Sequence, residues 1–313
     1  MTSSAKIDAN VKMRHDKGIG IANKILSTLQ EVSFGVYHFE MGLLFRTSEL
    51  LNDILFNTEA LFAMTDNHIE QLEECDKYLL RGLFNAAGGT PLESLFIETS
   101  AIPLRFIVKG RRIMFYWTLL NKTEEELVKR VFIALQEFSS KGNWLCQVKE
   151  DMIECDINLS EQQIQSMSRF RFKSVVHKKI KEKAAIYLTE LQMKHSKTLY
   201  LNQGSKMADY LTCDKLNTRE KQLLFRLRNR TTPNKSNMKN MHKNDLSCIL
   251  CKDPNSEENL DHLLNCSFLS SIVKDIETIK CEDIFGSLVK QVKAVKIWDK
   301  IFKLYEKQKE TND

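Results

Sequence analysis

A short segment rich in Cys and His places the tightest constraint on how this chain can fold. Cys248 and Cys251 are separated by two residues, and His262 and Cys266 follow at a spacing of i, i+4. A Cys-x-x-Cys turn presents two thiolates to one point, and an i, i+4 pair on a short helix points both side chains to one face. Together they form a tetrahedral Cys-Cys-His-Cys donor set of the kind that structural zinc takes. Because protein atoms fill all four positions, the sequence predicts one structural Zn²⁺ ion and no catalytic metal.

Two alternatives to this metal site stay open. The gap between the two pairs is slightly short for a two-Cys, two-His finger, so the pattern can also be two ordinary cysteines and a chance His-x-x-x-Cys. His242 is a substitute ligand whose spacing fits less well. The remaining cysteines are scattered, as core thiols of a reducing intracellular compartment would be. They are Cys75, Cys146, Cys155, Cys213 and Cys281.

The scarcity of helix breakers predicts an all-α fold. The chain has 11 Gly and 4 Pro among 313 residues, which favours long helices over a β-rich protein with many tight turns. Apolar residues recur near a 3.6-residue period, and no segment alternates convincingly as a strand does. Capping boxes are expected at Thr123–Glu126 and Ser160–Gln163, and a further helix is expected to start at Asn217. The predicted helices cover residues 18–30, 36–61, 66–84, 104–120, 123–139, 168–194 and 217–230, with two or three more between 267 and 309.

Charge is distributed unevenly along the chain. The net charge is +5, but residues 169–247 contain 19 Lys or Arg against six Asp or Glu, so the remainder is acidic. Such asymmetry is typical of a protein that binds a polyanion, and the candidate partner is RNA or DNA. The candidate contact residues are Arg169, Arg171, Lys173, Lys178, Lys179, Lys181, Lys183, Arg226, Arg228, Arg230, Lys235 and Lys239.

Each of these candidates has a purely structural alternative. The basic helix can be a solvated helix face, and the Arg226–Arg230 run can stabilise the negative end of a helix dipole. Tyr200, Tyr210 and Phe225 lie among the charges and can stack on bases, although core positions are commoner for such aromatics. Arg105, Arg111 and Arg112 are expected to form salt bridges with the acidic N-terminal helices. For each of these residues, the nucleic-acid contact and the structural role both stay open.

The sequence argues against a membrane-bound or secreted protein. It has no run of eighteen or more apolar residues, which a membrane-spanning helix requires. Its N-terminus lacks the apolar core of a signal peptide. We therefore expect an intracellular protein of the nucleus or cytoplasm.

Several stretches in a fixed order carry a resemblance to a known family. They are Lys17-Gly-Ile-Gly-Ile21, Glu93 to Arg105, Arg111-Arg112-Ile-Met-Phe-Tyr116, Lys141-Gly-Asn-Trp144, His195-Ser-Lys197, Leu224 to Arg230 and the Cys248–Cys266 cluster. In this order the set resembles the region after the catalytic palm in reverse transcriptase polyproteins of LINE-type (non-LTR) retrotransposons. The resemblance spans about residues 17–270 and rests on order and spacing, since only the Cys/His cluster is specific by itself.

The resemblance implies an order of segments. They are a flexible tail at 1–16, a thumb-like helical domain at 17–140, a basic helical linker domain at 141–246, a zinc knuckle at 247–270 and C-terminal helices at 271–313. In the family this region grips template RNA and target DNA while the palm copies. It also implies that the N-terminal helices pack against a polymerase palm or another protein.

The chain departs from the family where the chemistry would be. A polymerase palm needs a Tyr-x-Asp-Asp-type carboxylate pair and a third acidic residue to hold two metal ions, and the sequence has no such motif. Asp66, Asp151 and Asp156 stand alone, as residues of solvent-facing helix surfaces would. The family turn has Asp before Trp, where this chain has Asn143. No enzymatic activity is therefore expected.

The sequence thus predicts a non-catalytic C-terminal fragment of a retrotransposon polyprotein that binds RNA or DNA backbone without base specificity. The alternative is a protein-interaction scaffold or an inert remnant of the element. In that alternative Trp298, Phe302 and Tyr305 form a partner groove or simply belong to the core.

Overall fold

The computed structural model describes residues 3–60, 64–137, 143–194, 206–238 and 246–310. Within these ranges the regular structure is helical, and extended pairing is limited to one isolated antiparallel bridge between Ser247 and Glu257. The predicted all-α class is confirmed. In the same ranges, every helix is too short or too polar to cross a membrane.

The helices follow one another with short connections. The first nine are α1 (Ser3–Glu31), α2 (His38–Phe45), α3 (Leu51–Ile54), α4 (Asp66–Phe84), α5 (Leu92–Thr99), α6 (Leu104–Leu120), α7 (Leu127–Glu137), α8 (Trp144–Glu154) and α9 (Glu161–Ser166). The others are α10 (Arg169–Lys194), α11 (Asp209–Thr212), α12 (Thr218–Arg228), α13 (Leu260–Asn265), α14 (Ser267–Ile272) and α15 (Leu288–Glu310). A π-helical turn lies at Arg46–Leu50, and 3-10 turns lie at Gly35–Tyr37, Thr58–Ala60, Lys235–Met238, Ile276–Thr278 and Cys281–Phe285.

Local capping chemistry sets several of these limits. A reciprocal capping box forms at Ser160 with Gln163, as predicted, and another forms at Asn217 with Glu220, where only a helix start was predicted. The Thr123–Glu126 box behaves differently, because those residues form a separate turn and α7 begins only at Leu127. The predicted helix is therefore one turn too long at its N-terminus.

The predicted flexible tail is wrong from Ser3 onward, because those residues belong to α1. Val11 is fully buried, and the Arg14 guanidinium donates to the carbonyl oxygens of Ile54 and Phe56 at 3.1 and 2.6 Å. A segment that is polar in composition is thus anchored by the buried Val11 side chain and by hydrogen bonds from Arg14 to distant backbone.

The chain forms two compact units, each assembled from separate segments. Unit 1 comprises Met1–Glu31, Gly42–Leu80 and Ala101–Leu191, and unit 2 comprises Val32–Met41, Arg81–Ser100 and Gln192–Asp313. The sequence divided the chain into consecutive segments, whereas these units interleave along it. The packing of helices that are distant in sequence determines the two units. This packing cannot be predicted from the local sequence.

Unit 1 has a core built around α6, α8, α9 and α10. Trp144, Val148, Ile164, Phe172 and Val176 are buried in one hydrophobic cluster with the apolar side of α6. The Trp144 indole also donates to the Glu59 carbonyl oxygen at 2.7 Å. The buried side of α10 is thereby fixed, which determines which of its residues reach solvent.

The three arginines of α6 all form hydrogen bonds or ion pairs with other residues of unit 1. Arg105 forms two hydrogen bonds with the Glu73 carboxylate of α4, as expected for an ion pair with an N-terminal helix. Arg111 instead donates to the Leu55 carbonyl oxygen at 2.8 Å, and Arg112 pairs with Asp151 of α8 at 2.8 Å.

Unit 2 has an aromatic core. The rings of Phe84 and Phe225 stack at a centroid distance of 3.9 Å, and Phe39 packs against Phe84 at 4.9 Å. Trp298 and Phe302 on α15 are buried and stack on each other at 5.8 Å. These residues of α15 are core, so the alternative of an open partner groove formed by the C-terminal aromatics is wrong.

Candidate metal centre and basic surfaces

The predicted metal ligands come together in unit 2. One ligand atom each from Cys248, Cys251, His262 and Cys266 lies within 4.8 Å of all the others. A zinc–sulfur distance of about 2.3 Å in a tetrahedron places neighbouring sulfur atoms about 3.8 Å apart, so the spacing fits one ion. The Cys251 Sγ to His262 Nε2 distance is 3.5 Å. The cluster can therefore hold a single metal ion, with no protein ligand missing.

The backbone around the ligands is folded by local hydrogen bonds. The Lys252 amide donates to the Cys248 carbonyl oxygen at 2.9 Å, and Lys252 adopts a left-handed conformation with φ of 57°, which closes the Cys-x-x-Cys turn. On the other side, the Asn259 side chain accepts from the His262 amide at 2.8 Å and caps α13. The two halves of the ligand set are thus each held by a turn or a cap.

Burial affects the protonation of one of the predicted metal ligands, Cys248. Burial raises the pKa of the Cys248 thiol to about 12, so this thiol is neutral at ordinary pH in the absence of a cation. A metal ion must displace that proton on binding, since the thiolate is the ligand.

A buried carboxylate joins the metal-binding segment to the rest of unit 2. The Glu258 side chain is fully buried, and its oxygens accept from the backbone amides of Ile249 at 2.9 Å and Lys235 at 2.8 Å. The Tyr305 hydroxyl of α15 donates to Glu258 at 2.6 Å. The Glu258 carbonyl oxygen also accepts from Asn234 at 3.1 Å. One side chain therefore ties the Cys-x-x-Cys turn to α15 and to the 235–238 turn.

The basic residues of α10 lie on the exposed side of that helix. We call the solvent-facing residues of its first half the basic surface of α10. Arg169, Arg171, Lys173, Lys178 and Lys181 are exposed, and Lys179 and Lys183 are half-buried. Glu182 is the acidic residue among them, and it lies 3.9 and 3.3 Å from Lys178 and Lys179. The charges of the other cations on this surface remain available to a binding partner.

The basic residues predicted beyond α10 do not form one surface. Arg228 is buried, and its guanidinium donates to Glu98 at 2.8 Å and to the Ile284 carbonyl oxygen at 3.0 Å, so it cannot reach a phosphate. Lys235 is buried as well. Arg226 is half-buried and bonds to the Asn85 carbonyl oxygen at 3.0 Å, while Arg230 is exposed. The prediction that Arg228 and Lys235 contact nucleic acid is therefore wrong, because both side chains are buried.

Some predicted residues fall outside the described ranges. Lys239 and the alternative ligand His242 lie in the gap at 239–245, and the His195-Ser-Lys197 stretch and Tyr200 lie in the gap at 195–205.

Comparisons with protein-family models, with curated proteins and with solved structures find no match. The interpretation of this chain therefore depends on its own residues and geometry.

Two of the three candidate stacking aromatics are core, and a different aromatic residue is exposed. Tyr210 and Phe225 are buried, which agrees with the commoner alternative for both. Phe170 is 83% exposed and stands between Arg169 and Arg171. The sequence offered a signal, because Phe170 and Phe172 alternate with arginines on a helix and cannot share one buried face.

The expectation that the three isolated aspartates face solvent is wrong for Asp151. It is 4% exposed, and the Arg112 guanidinium contacts both of its oxygens at 2.8 and 3.1 Å. Burial raises the pKa of Asp151 to about 6 although Arg112 acts in the opposite direction. Asp66 and Asp156 are exposed as expected.

A second group of cations was missed in the sequence. Six lysines lie on one face of α15, and all six are exposed. They are Lys290, Lys293, Lys296, Lys300, Lys303 and Lys307. Successive spacings of three or four residues are the signal, since such spacings keep side chains on one side of a helix. We call these six residues the lysine face of α15.

Proposed function

We propose that this chain is a non-catalytic nucleic-acid-binding module that holds RNA or DNA by its backbone through the basic surface of α10. The observation that carries the proposal is the exposure of five Arg or Lys side chains on one stretch of helix beside a single acidic residue, Glu182. At about 1.5 Å per residue, the surface from Arg169 to Lys183 extends about 20 Å. Cations over such a length neutralise several phosphates and release their condensed counterions, which drives non-specific binding.

Phe170 supports a preference for single strands. An exposed aromatic ring next to cations can stack on an unpaired base, whereas the bases of a duplex are already stacked. We expect Phe170→Ala to weaken binding to a single-stranded oligonucleotide by about 1–3 kcal/mol and to leave duplex binding nearly unchanged. Fluorescence anisotropy with oligouridylate and with a DNA duplex measures both affinities. Equal losses for the two probes would show that the ring does not stack on bases.

The metal in this proposal is zinc, with a structural role. Three thiolates and one imidazole are the donors that a structural zinc site takes, and the tetrahedral set leaves no position for water or substrate. The close approach of the four ligand atoms supports the assignment. Zinc content measured by mass spectrometry of the native protein should be one ion per chain, and Cys248→Ser should lower it.

The origin of the module is a separate proposal. The ordered motifs from Lys17 to the Cys248–Cys266 cluster support descent from the post-catalytic region of a LINE-type polyprotein. One of these motifs, Lys141-Gly-Asn-Trp144, has a structural role that fits this origin. Asn143 caps the start of α8, and Trp144 is buried. Polymerase activity is not part of this proposal.

A charge-neutralised variant tests the function. We expect Arg169→Gln, Arg171→Gln and Lys173→Gln together to weaken oligouridylate binding by about tenfold or more, because three phosphate contacts are lost. The matched control neutralises three exposed lysines elsewhere: Lys122→Gln, Lys149→Gln and Lys274→Gln. Equal binding by the two variants would contradict the role of α10.

A protein-interaction scaffold is the second candidate. It is favoured by α7, where Leu127 is 68% exposed and Val128 and Val131 are each about half exposed. Apolar side chains grouped in this way on one helix occur at protein interfaces. An absence of nucleic-acid binding at low salt, together with self-association that Leu127→Lys abolishes, would support this candidate instead.

A further inference from the structure

We propose that the lysine face of α15 is a second nucleic-acid contact surface, in unit 2, that binds the phosphate backbone. The inference rests on the proposed function, because it assumes a nucleic-acid partner. It goes beyond that function by assigning binding to a helix outside the basic region from which the partner was deduced.

The lysine face is continuous and rigidly supported. The six lysines extend about 25 Å along the helix, at about 1.5 Å per residue. The opposite side of α15 is locked in the core of unit 2, since Trp298, Ile301 and Phe302 are buried. Arg219 adds ion pairs to Asp299 at 3.1 Å and to Glu306 at 2.9 Å. A partner would therefore meet lysines whose helix is already fixed in place.

The middle of this face keeps its charges uncompensated. Lys290 and Lys303 have acidic neighbours, Asp283 at 3.6 Å and Asp299 at 2.5 Å. Among the described residues, Lys293, Lys296 and Lys300 form no ion pair or hydrogen bond. Three like charges within about two turns of a helix repel one another, and a polyanion relieves that repulsion.

The composition of the face favours nucleic acid over a protein partner. Protein interfaces have an apolar or aromatic centre and are depleted in lysine, whereas every exposed residue between positions 293 and 303 of this helix is a lysine. Binding of a phosphate backbone requires only positive charges at suitable intervals. The flexible ammonium groups of lysine provide these charges, and such contacts do not distinguish one base from another.

The burial of the opposite side argues against a membrane surface. Amphipathic helices bind membranes by inserting their apolar side into the headgroup region. In α15 that side is occupied by the core of unit 2, with Trp298 and Ile301 both fully buried. Along residues 293–303 the exposed side chains available to an external partner are all lysines.

Neutralisation of the central lysines tests the inference. We expect Lys293→Gln, Lys296→Gln and Lys300→Gln together to weaken binding of full-length protein to labelled oligouridylate by about tenfold to a hundredfold at moderate salt. The slope of log affinity against log salt should become shallower by up to about 2, at about 0.7 for each lost phosphate contact. The exposed-lysine control at 122, 149 and 274 should change both quantities less. Lys→Arg at the same three α15 positions should retain wild-type binding, and circular dichroism confirms the fold of each variant.

The outcomes separate this inference from the proposed function. If the α15 variant binds like the control while the α10 variant is weakened, the second surface is overturned and the proposed function stands. If only the α15 variant is weakened, this inference stands and the α10 assignment fails. An absence of wild-type binding at low salt overturns both. Loss of binding to phosphatidylserine-containing vesicles by the α15 variant, with unchanged RNA binding, would assign the face to membranes and overturn the inference.

Discussion

Glu258 is the residue on which the metal-binding segment depends most, apart from the ligands themselves. Its two carboxylate oxygens accept from the backbone amides of Ile249 and Lys235 and from the Tyr305 hydroxyl. A fully buried carboxylate must be satisfied by such donors, because an unsatisfied one loses its hydration without compensation. The backbone of the Cys-x-x-Cys turn and the side chain of α15 therefore share one anchor.

Replacement of this carboxylate should destabilise unit 2. Glu258→Gln places an amide group opposite one of the donors and removes the charge, so we expect a loss of about 1.5–3 kcal/mol in the free energy of unfolding and weaker metal binding. Urea denaturation and a competitive metal titration measure the two effects. Glu277→Gln, at an exposed position, is the control. A Glu258 variant as stable as this control would show that the hydrogen bonds contribute nothing.

His38 gives unit 2 a dependence on pH. Burial, with a further contribution from Lys221, lowers the pKa of His38 below its ordinary value of 6.5. The unfolded chain thus binds this proton more readily than the folded protein, so stability present above about pH 6.5 is lost as the pH falls below it. Denaturation of wild type and of His38→Gln between neutral and mildly acidic pH should show a smaller loss in the variant. Parallel curves for the two proteins would contradict this account.

At the scale of helices, the limits set by neighbouring residues were predictable. The sequence placed α4, α6 and α10 within one residue of their observed limits, because Thr65, Pro103 and Ser168 act on the first turn that follows them. It missed α8, whose start depends on the Asn143 cap and on burial of Trp144 among residues distant in sequence. It also missed the N-terminal half of α1, which long-range contacts hold in place.

The candidate site, too, was predictable from the sequence only where neighbouring residues define it. The metal ligands were predictable since their spacing alone defines the donor set. The burial of Arg228 was not, because its partner Glu98 lies 130 residues earlier in the chain. The anchoring role of Glu258 could not be predicted for the same reason. Its hydrogen-bond donors include residues of the 235–238 turn and of α15, which are distant in sequence. The lysine face of α15 was also predictable, because its lysines recur at spacings of three or four residues.

The link between the metal cluster and α15 makes the helix sensitive to metal removal. We expect chelation, or His262→Ala, to unfold the Cys248–Cys266 segment, because metal binding supplies folding energy in such sites, about 10–16 kcal/mol apparent in isolated zinc-finger peptides. Amide hydrogen exchange should then increase around Tyr305, whose hydroxyl loses its fixed acceptor, while the buried side of α10 in unit 1 remains protected. Cys146→Ser, a thiol outside the cluster, is the control. Unchanged exchange in α15 would show that Glu258 does not couple the two elements.

For the molecule as a whole, cationic surfaces occur in both units. The basic surface of α10 belongs to unit 1, and the lysine face of α15 belongs to unit 2. Each can contact a phosphate backbone without reading bases, so the two together would raise affinity without adding sequence specificity. The aromatic side chains of α15 lie in the core and do not form a partner groove.

The central claim is that this chain binds nucleic acid through its charges, and the salt dependence of binding tests it most directly. The measurement is a fluorescence-anisotropy titration of the metal-loaded protein with labelled oligouridylate at two salt concentrations. With about five phosphates neutralised, log affinity should fall with log salt at a slope of about −3.5, from about 0.7 per phosphate on a single strand. A slope near zero, or no binding even at low salt, would contradict the account.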